Sequence, residues 1–249
     1  MEKYKDLATK ILPRRAHSLA KYLYMALTFP LVSRKLSAFA SDKPEEIFSF
    51  ITNNFFSFFA PMQVPAEFLK FLSLAVAKKP SVILEIGTAR GGTLFCLAKA
   101  AAPDALLISI DLPRGKFGGG YGLLQKALYH SFVSGRQKLF LLREDSHSAE
   151  TFAKVKKIIE KEKSGQPLSL LFIDGDHAYE GVKKDFAMYR SLVGQEEMIG
   201  FHDIVPGAPD SAGGVAQFWQ ETKGAYPHTE IVADWHQGGY GIGVLENKQ

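Results

Sequence analysis

Five side chains that can hold a metal or move a proton fall in two short segments of this 249-residue chain. Asp174, Asp176 and His177 lie in the segment FIDGDHAY, and His202 and Asp203 lie in GFHDI. Each segment follows a compact apolar run, which places it at the end of a buried strand. Carboxylates that converge there repel one another, so we expect a shared proton or a bound cation. Oxygen ligands with vacant positions suit Mg²⁺, which keeps water molecules and binds a substrate oxygen.

The elements that must position these side chains are strands and helices in alternation. From about residue 80, apolar runs alternate with amphipathic stretches, which is typical of βαβ units and a parallel sheet. The predicted strands are Val82–Ile86, Ala105–Ile110, Leu139–Leu142, Leu168–Ile173 and Met198–Phe201, with two more near Glu230–Trp235 and Gly241–Glu246. The predicted helices are Gly92–Ala102, Gly122–Val133, Ala149–Lys163, Tyr179–Leu192 and one around Val215–Lys223.

The first part of the chain has a different composition. Residues 1–60 show apolar residues at helical spacing, interrupted by prolines, so we predict a helical extension there and one large domain over residues 61–249. Residues 1–40 carry a net charge of +6, whereas the whole chain carries +4. A solvated helical face is the favoured interpretation, with contact to nucleic acid, an anionic membrane or a partner as the alternative. No apolar run reaches the ~18 residues of a membrane span, and Cys96 has no partner for a disulfide, so we expect a cytoplasmic protein.

Polar residues also follow the first three predicted strands. Gly87 and Gly91 come directly after the first strand, with a spacing that differs from the GxGxxG of dinucleotide sites and lacks the Lys of a P-loop. Asp111 ends the second strand, where an acid accepts hydrogen bonds from ribose hydroxyls. Asp145 and Ser146 follow the third strand, where they either contact an adenine edge or cap the next helix.

These motifs resemble the successive cofactor motifs of class I S-adenosylmethionine-dependent methyltransferases. The resemblance covers about residues 60–246 and implies a Rossmann-like, doubly wound α/β fold. Its seven-stranded sheet would have the order 3-2-1-4-5-7-6, with strand 7 antiparallel. The residues that the resemblance and the adjoining loops assign to the cofactor S-adenosylmethionine are Gln63, Glu85, Gly87, Thr88, Arg90, Gly91, Asp111, Leu112, Tyr121, Asp145, Ser146 and Asp174.

The segments around Asp174 and Asp203 resemble the metal-dependent O-methyltransferases, particularly the bacterial sugar O-methyltransferases. That resemblance implies that Asp174 and Asp203 are metal ligands, with His202 in the first place of the acidic pair, and that Asp176 is the general base. His177, in the same segment, is a further catalytic candidate. Histidine at position 202 departs from the family pattern and favours Zn, Mn, Fe or no metal over Mg²⁺. Two structural alternatives stay open: Asp176 caps the next helix, and His177 hydrogen-bonds a loop.

The expected function is O-methylation of a small molecule, a sugar or a glycosylated metabolite, assisted by a divalent metal. One alternative is an oxidoreductase or hydroxylase on the same fold, and another is a low-turnover adaptor that docks through its basic N-terminal helices. We do not expect a nucleic-acid substrate, because the remainder of the chain is slightly acidic and the fourth strand is followed by DGDH. Peripheral membrane contact through residues 1–40 and homo-oligomer formation stay open.

Overall fold

The structure, a computed structural model, describes residues 22–113, 120–208 and 213–248. Most of the basic residues of the N-terminal segment, at positions 3–21, lie outside the described residues, as do positions 114–119 of the glycine-rich loop.

Seven strands form the sheet that the sequence predicts. They are β1 (Val82–Ile86), β2 (Leu106–Ile110), β3 (Lys138–Leu142), β4 (Leu168–Ile173), β5 (Val193–His202), β6 (His228–Ile231) and β7 (Ile242–Glu246). Their order is β3-β2-β1-β4-β5-β7-β6. The first five strands pair in parallel, and β7 pairs antiparallel with both β5 and β6. The predicted order and the antiparallel β7 are therefore confirmed.

Helices cover both faces of this sheet. They are α1 (Phe29–Ala38), α2 (Pro44–Asn53), α3 (Pro65–Lys78), α4 (Gly92–Ala100), α5 (Leu123–Tyr129), α6 (Ala149–Lys163), α7 (Tyr179–Tyr189) and α8 (Val215–Thr222). One hydrophobic cluster joins one face of the sheet to α1–α5, and a second joins the other face to α6–α8. Because both faces are covered, every residue of β1, β2 and β4 is buried, which explains their continuous apolar runs.

The N-terminal helices join the core through stacked phenylalanine rings. Phe39 and Phe50 stack with ring centroids 4.0 Å apart, and Phe50 stacks on Phe95 of α4 at 5.5 Å. Farther along, the chain touches the start of α4, where a Cβ on Gly92 would lie 2.2 Å from the carbonyl oxygen of Phe59. This contact places the segment before α3, including Gln63, beside the end of β1.

Several predicted boundaries are wrong, for local reasons. Strand β5 begins at Val193 instead of Met198, because the buried Asn247 side chain donates to Val193 O and holds a polar stretch in the sheet. Strand β6 spans His228–Ile231 instead of residues 230–235, because the next residues leave the sheet to bond Glu67. Helix α5 ends at Tyr129 instead of Val133, since the backbone turns there.

Among the described residues, no helix has the length and apolar character needed to cross a bilayer.

Candidate active site

The turn after β1 lies against the end of β4. Gly87 has a φ of +99°, and a Cβ there would lie 1.9 Å from the carbonyl oxygen of Asp174. Its N–H donates to Ile110 O at 2.8 Å, which ties the turn to β2. Gly91 has a φ of +77°, and a Cβ on it would lie 2.7 Å from the ring of Tyr129. Only glycine fits at both positions, so the two glycines of the sequence motif are required by the close packing of this turn against Asp174 and Tyr129.

Glu85, the acid at the end of β1, is fully buried in a small network of hydroxyl groups. The Ser109 hydroxyl donates to its Oε2 at 2.6 Å, and the Thr88 and Ser109 hydroxyls lie 2.6 Å apart. Its Oε1 is buried and has no hydrogen-bond partner among the described residues. Burial raises the pKa of Glu85 to about 8; the Ser109 bond opposes this shift, and the charges of Asp174 and Asp111 add to it. A buried carboxylate with an unpaired oxygen suits a cationic or N–H-bearing ligand.

Asp111 ends β2 as predicted and is almost completely buried. Its Oδ2 accepts the Gly120 N–H at 2.8 Å, which ties the end of the glycine-rich loop to this strand. Burial raises the pKa of Asp111 to about 6, although hydrogen bonds from the Gly120 and Ala89 N–H groups and the charge of Arg143 oppose the shift.

The other residues assigned to the cofactor differ in exposure. Tyr121 is buried, with its ring 5.1 Å from that of Tyr129. Its hydroxyl is buried, and no hydrogen-bond partner for it exists in the described part of the chain. Leu112 and Arg90 are exposed, whereas the Thr88 hydroxyl is used within the Glu85 network.

Asp174, at the end of β4, has a side-chain partner for each of its two carboxylate oxygens. Gln63, before α3, donates from Nε2 to its Oδ2 at 3.1 Å, and His202, at the end of β5, has Nδ1 3.0 Å from its Oδ1. Burial acts to raise the pKa of Asp174, but His202 and His177 outweigh it and hold the pKa below its usual range. Burial likewise acts to lower the pKa of His202, and the two acids Asp174 and Asp203 reverse this and raise it.

Asp203 and His177 complete the cluster. His177 Nδ1 lies 3.3 Å from Asp203 Oδ2, and its Nε2 lies 3.7 Å from Asp174 Oδ1. One ligand atom from each of Asp174, His177 and Asp203 lies within 4.8 Å of the others, a spacing that can hold a metal ion. The Nδ1 of His202 also faces both carboxylates, at 3.0 and 3.4 Å. Its Nε2 is buried and makes no hydrogen bond within the described ranges.

Asp176 closes a turn just before α7, whose N-cap residue, Ala178, has no side-chain cap. Its Oδ1 accepts the Ala178 N–H at 2.9 Å, just before α7 begins. Its carboxylate lies so close to Gly181 that a Cβ there would be 2.4 Å from Oδ2. The side chain therefore lies against the first turn of α7, beside the cluster and outside it.

Asp145 and Ser146 lie at the tip of β3, and neither is the residue that caps α6. Ser148 caps it, by accepting the Glu150 and Thr151 N–H groups. Asp145 is exposed, and its Oδ1 accepts the His147 N–H at 2.8 Å.

A buried acid behind this tip was missed by sequence reasoning. Asp185 on α7 has no exposed surface, and His147 Nε2 lies 3.3 Å from its Oδ1. The nearby Asp185 carboxylate raises the pKa of His147, although burial opposes this. Gly175, between Asp174 and Asp176, packs close to Asp185, since a Cβ on Gly175 would lie 3.7 Å from Asp185 Oδ2. The available signal was a charged residue on the apolar face of a helix, next to Phe186.

Glu67 gives the same kind of signal and was missed too. This α3 residue is 2% exposed, and its carboxylate accepts three hydrogen bonds of 2.8 to 2.9 Å from the loop between β6 and β7. The donors are Ala233 N, Gln237 Nε2 and Gly241 N. In the same loop, Tyr240 N donates to Asp203 Oδ1 at 2.8 Å. Asp203, after β5, and Tyr240, in this loop, both have positive φ, +63° and +61°, so a strained residue lies at each end of this hydrogen bond beside the cluster.

We predict that Glu67→Gln lowers the free energy of unfolding by about 2 kcal/mol, because an amide replaces a carboxylate that satisfies three buried donors. Amide hydrogen exchange at Ala233 and Gly241 should accelerate. Urea unfolding and exchange mass spectrometry measure these effects. Glu160→Gln, on an exposed stretch of α6, is the matched control and should stay within about 0.5 kcal/mol of wild type. Unchanged exchange in residues 232–241 would contradict the assignment of Glu67 as the residue that holds this loop.

Comparison with known proteins agrees with this geometry. A family model described as a methyltransferase domain matches residues 84–204, which contain every predicted site residue except Gln63. An uncharacterized protein, y4gI of Sinorhizobium fredii (strain NBRC 101917 / NGR234), is 28% identical over 176 residues. The match covers 69% of this chain and 18% of that protein, so the chain spans less than a fifth of this curated relative.

Solved structures share the fold. The O-methyltransferase TomG from Streptomyces achromogenes, involved in tomaymycin synthesis and solved with S-adenosylmethionine, is 20% identical with a TM-score of 0.55. The match covers 82% of this chain and 90% of TomG. An O-methyltransferase from Bacillus cereus, solved with S-adenosylhomocysteine, is 17% identical with a TM-score of 0.52, over 84% of this chain and 93% of that one.

Proposed function

We propose that this chain, whose residues 84–204 match a methyltransferase domain, is a class I S-adenosylmethionine-dependent methyltransferase and methylates a hydroxyl oxygen of a small molecule with the help of a divalent metal ion. The proposed acceptor class is a sugar or a glycosylated metabolite. The observation that carries the proposal is that the glycine turn after β1 and the cluster of possible metal ligands lie together at one edge of the sheet. The turn at Gly87 touches Asp174, and Asp174 belongs to the cluster with His177 and Asp203.

The charge of this edge favours a cationic cofactor. Glu85, Asp111 and Asp174 bring three carboxyl groups to the ends of β1, β2 and β4. Burial raises the pKa of Glu85 and of Asp111, so a cation bound beside them would favour their charged forms. S-adenosylmethionine offers a sulfonium and an ammonium group to such an edge, which is electrostatically favourable. A nicotinamide dinucleotide would instead bring two phosphates toward the same carboxylates. The oxidoreductase alternative is therefore not favoured.

The donor set fits a divalent ion with mixed oxygen and nitrogen ligands. We assign Asp174, His177 and Asp203 as the ligands, because their atoms lie within 4.8 Å of one another. An imidazole ligand favours Mn²⁺, Fe²⁺ or Zn²⁺ over Mg²⁺. A bound ion would act as a Lewis acid that lowers the pKa of the acceptor hydroxyl. His202 would orient Asp174 by its hydrogen bond and offset the charge of the two carboxylates.

The remaining residues bind, align and accept a proton. The methyl group of the cofactor is already activated, so the protein mainly aligns the acceptor oxygen with it for in-line displacement. The Gln63 amide donates to Asp174 Oδ2 and so helps to fix the direction of this carboxylate. Asp176 remains the proposed base, with its Oδ1 oriented by the Ala178 N–H.

Calorimetry and turnover test this proposal. We expect S-adenosylhomocysteine to bind at least tenfold more tightly than NADH. Asp174→Asn and Asp203→Asn should each weaken Mn²⁺ binding at least about tenfold. Formation of S-adenosylhomocysteine with a panel of glycosides and catechols as acceptors should fall about a hundredfold in both variants.

Asp104→Asn is the matched control, because this exposed aspartate precedes β2 at the opposite edge of the sheet. It should leave all three measurements unchanged. If wild type binds S-adenosylhomocysteine but the Asp174 and Asp203 variants keep full turnover, the metal-assisted mechanism is wrong. If NADH binds and S-adenosylhomocysteine does not, the proposed cofactor is wrong.

A further inference from the structure

A ridge of leucines stands out from the N-terminal helical segment. Residues 22–27 and α1 are helical, and Met25, Val32 and Leu36 pack one side of this segment into the core. Leu23, Leu27 and Leu31 are 51%, 83% and 71% exposed. Their spacing of four residues puts them on one helix face. We call these three residues the leucine ridge.

The chain around the leucine ridge carries no charge. Positions 22–33 contain neither an acidic nor a basic residue. The Thr28 hydroxyl donates to Tyr24 O, and the Ser33 hydroxyl bonds the Ser131 hydroxyl, so both are satisfied within the protein. An exposed helix face of this kind is stabilised when an apolar medium or surface covers it, because its apolar side chains then leave water.

Charge indicates what covers the ridge. Residues 1–40 carry eight Lys and Arg against two acids, and the remaining residues carry a net charge of −2. Arg34 is exposed one turn after Leu31. A second copy of the chain would bring another N-terminal segment with a net charge of +6 over residues 1–40, so electrostatic repulsion opposes the pairing of two such segments. An anionic bilayer surface complements this charge and also receives the apolar side chains.

We propose that the N-terminal helical segment docks this protein onto anionic phospholipid bilayers, with the leucine ridge inserted at the boundary between headgroups and acyl chains. In this arrangement the helix lies in the plane of the interface, with the leucine ridge toward the acyl chains. Arg34, which is exposed next to the uncharged stretch, contacts the anionic headgroups, and the positive charge of the sequence before position 22 strengthens the attraction to them. This proposal goes beyond the methyltransferase activity and does not depend on the identity of the acceptor.

Vesicle sedimentation with the full chain tests the proposal. Wild type should partition onto vesicles of phosphatidylcholine with 30% phosphatidylglycerol about tenfold more strongly than onto pure phosphatidylcholine. Adding 0.5 M NaCl should weaken that binding, because salt screens exposed charges. The double variant Leu27→Ser/Leu31→Ser should lose about tenfold or more in partitioning onto the anionic vesicles. The triple variant Arg14→Glu/Arg15→Glu/Arg34→Glu should lose the preference for anionic lipid.

Leu74→Ser, at a leucine of α3 that is 38% exposed, is the matched control and should partition within twofold of wild type. Binding of S-adenosylhomocysteine within twofold of wild type shows that the ridge variants are folded. The proposal is overturned if wild type does not bind anionic vesicles, or if the ridge variant binds them like wild type. It is also overturned if sedimentation velocity shows a wild-type dimer that the ridge variant converts to a monomer while vesicle binding is unchanged.

Discussion

Gly87→Ala is expected to lower the free energy of unfolding by about 3 kcal/mol and to weaken binding of S-adenosylhomocysteine at least tenfold. Two effects add at this position. An alanine at a φ of +99° is strained, and its Cβ would lie 1.9 Å from the carbonyl oxygen of Asp174. That oxygen is backbone at the end of a central strand, so relief of the clash must move the turn or β4. Urea unfolding and isothermal calorimetry measure the two effects.

Gly135→Ala separates strain from the clash. Gly135 also has a positive φ, +61°, but no atom lies within 4 Å of the position of its Cβ. We expect this variant to lose about 1 to 2 kcal/mol from the backbone conformation alone and to bind S-adenosylhomocysteine like wild type. If the two variants were equally stable, close contact between the β1 turn and the end of β4 would not matter for folding.

The sequence predicts the edge of the sheet well, because the signals there are local. Gly87, Asp111 and Asp174 each follow an apolar run directly, and Asp203 follows one after His202; parallel strands bring such positions to one edge. The strand order follows from the family resemblance of the same motifs. The structure accordingly has the predicted order and brings Asp174, His177 and Asp203 together.

What sequence reasoning could not predict depends on contacts between distant segments. Glu67 bonds a loop more than 160 residues later in the chain, and that loop ends β6 early. Ser109 and Glu85 meet only because β1 and β2 pair in register at these two residues. The sequence leaves Asp176 open between a general base and a helix cap, and the hydrogen bond from the Ala178 N–H decides where its carboxylate lies. Spacing alone carries no information on any of these three arrangements.

The acidity of the sheet edge has an energetic consequence for the protein without its cofactor. Glu85 is buried, receives a hydrogen bond from a hydroxyl, and has no basic partner among the described residues. Asp174 and Asp111 disfavour its ionisation further. Residues that bind a ligand charge are often unfavourable for folding in this way. Glu85 is the position where this conflict can be measured.

We predict that Glu85→Gln makes the ligand-free protein progressively more stable than wild type as the pH rises from 5 to 9, by on the order of 4 kcal/mol over that range. The pKa of Glu85 is about 8 in the folded protein and 4.5 is its ordinary value. Between these values the unfolded chain releases a proton that the folded protein retains, so wild-type stability falls as the pH rises. Glutamine does not ionise and lacks this loss. Urea unfolding at pH 5, 7 and 9 measures the difference.

Two further variants make the result specific to Glu85. Ser109→Ala removes the hydrogen bond that favours the charged carboxylate and raises the pKa of Glu85 further, so its stability should fall by more than that of wild type between pH 7 and 9. Glu160→Gln, on the exposed side of α6, should follow the wild-type curve. An unpaired amide nitrogen in Glu85→Gln shifts its curve equally at every pH, so the slope is the informative quantity. Glu85→Gln should also bind S-adenosylmethionine more weakly than wild type. Parallel stability curves for wild type and Glu85→Gln would contradict the prediction, because they would show that Glu85 ionises freely in the folded protein.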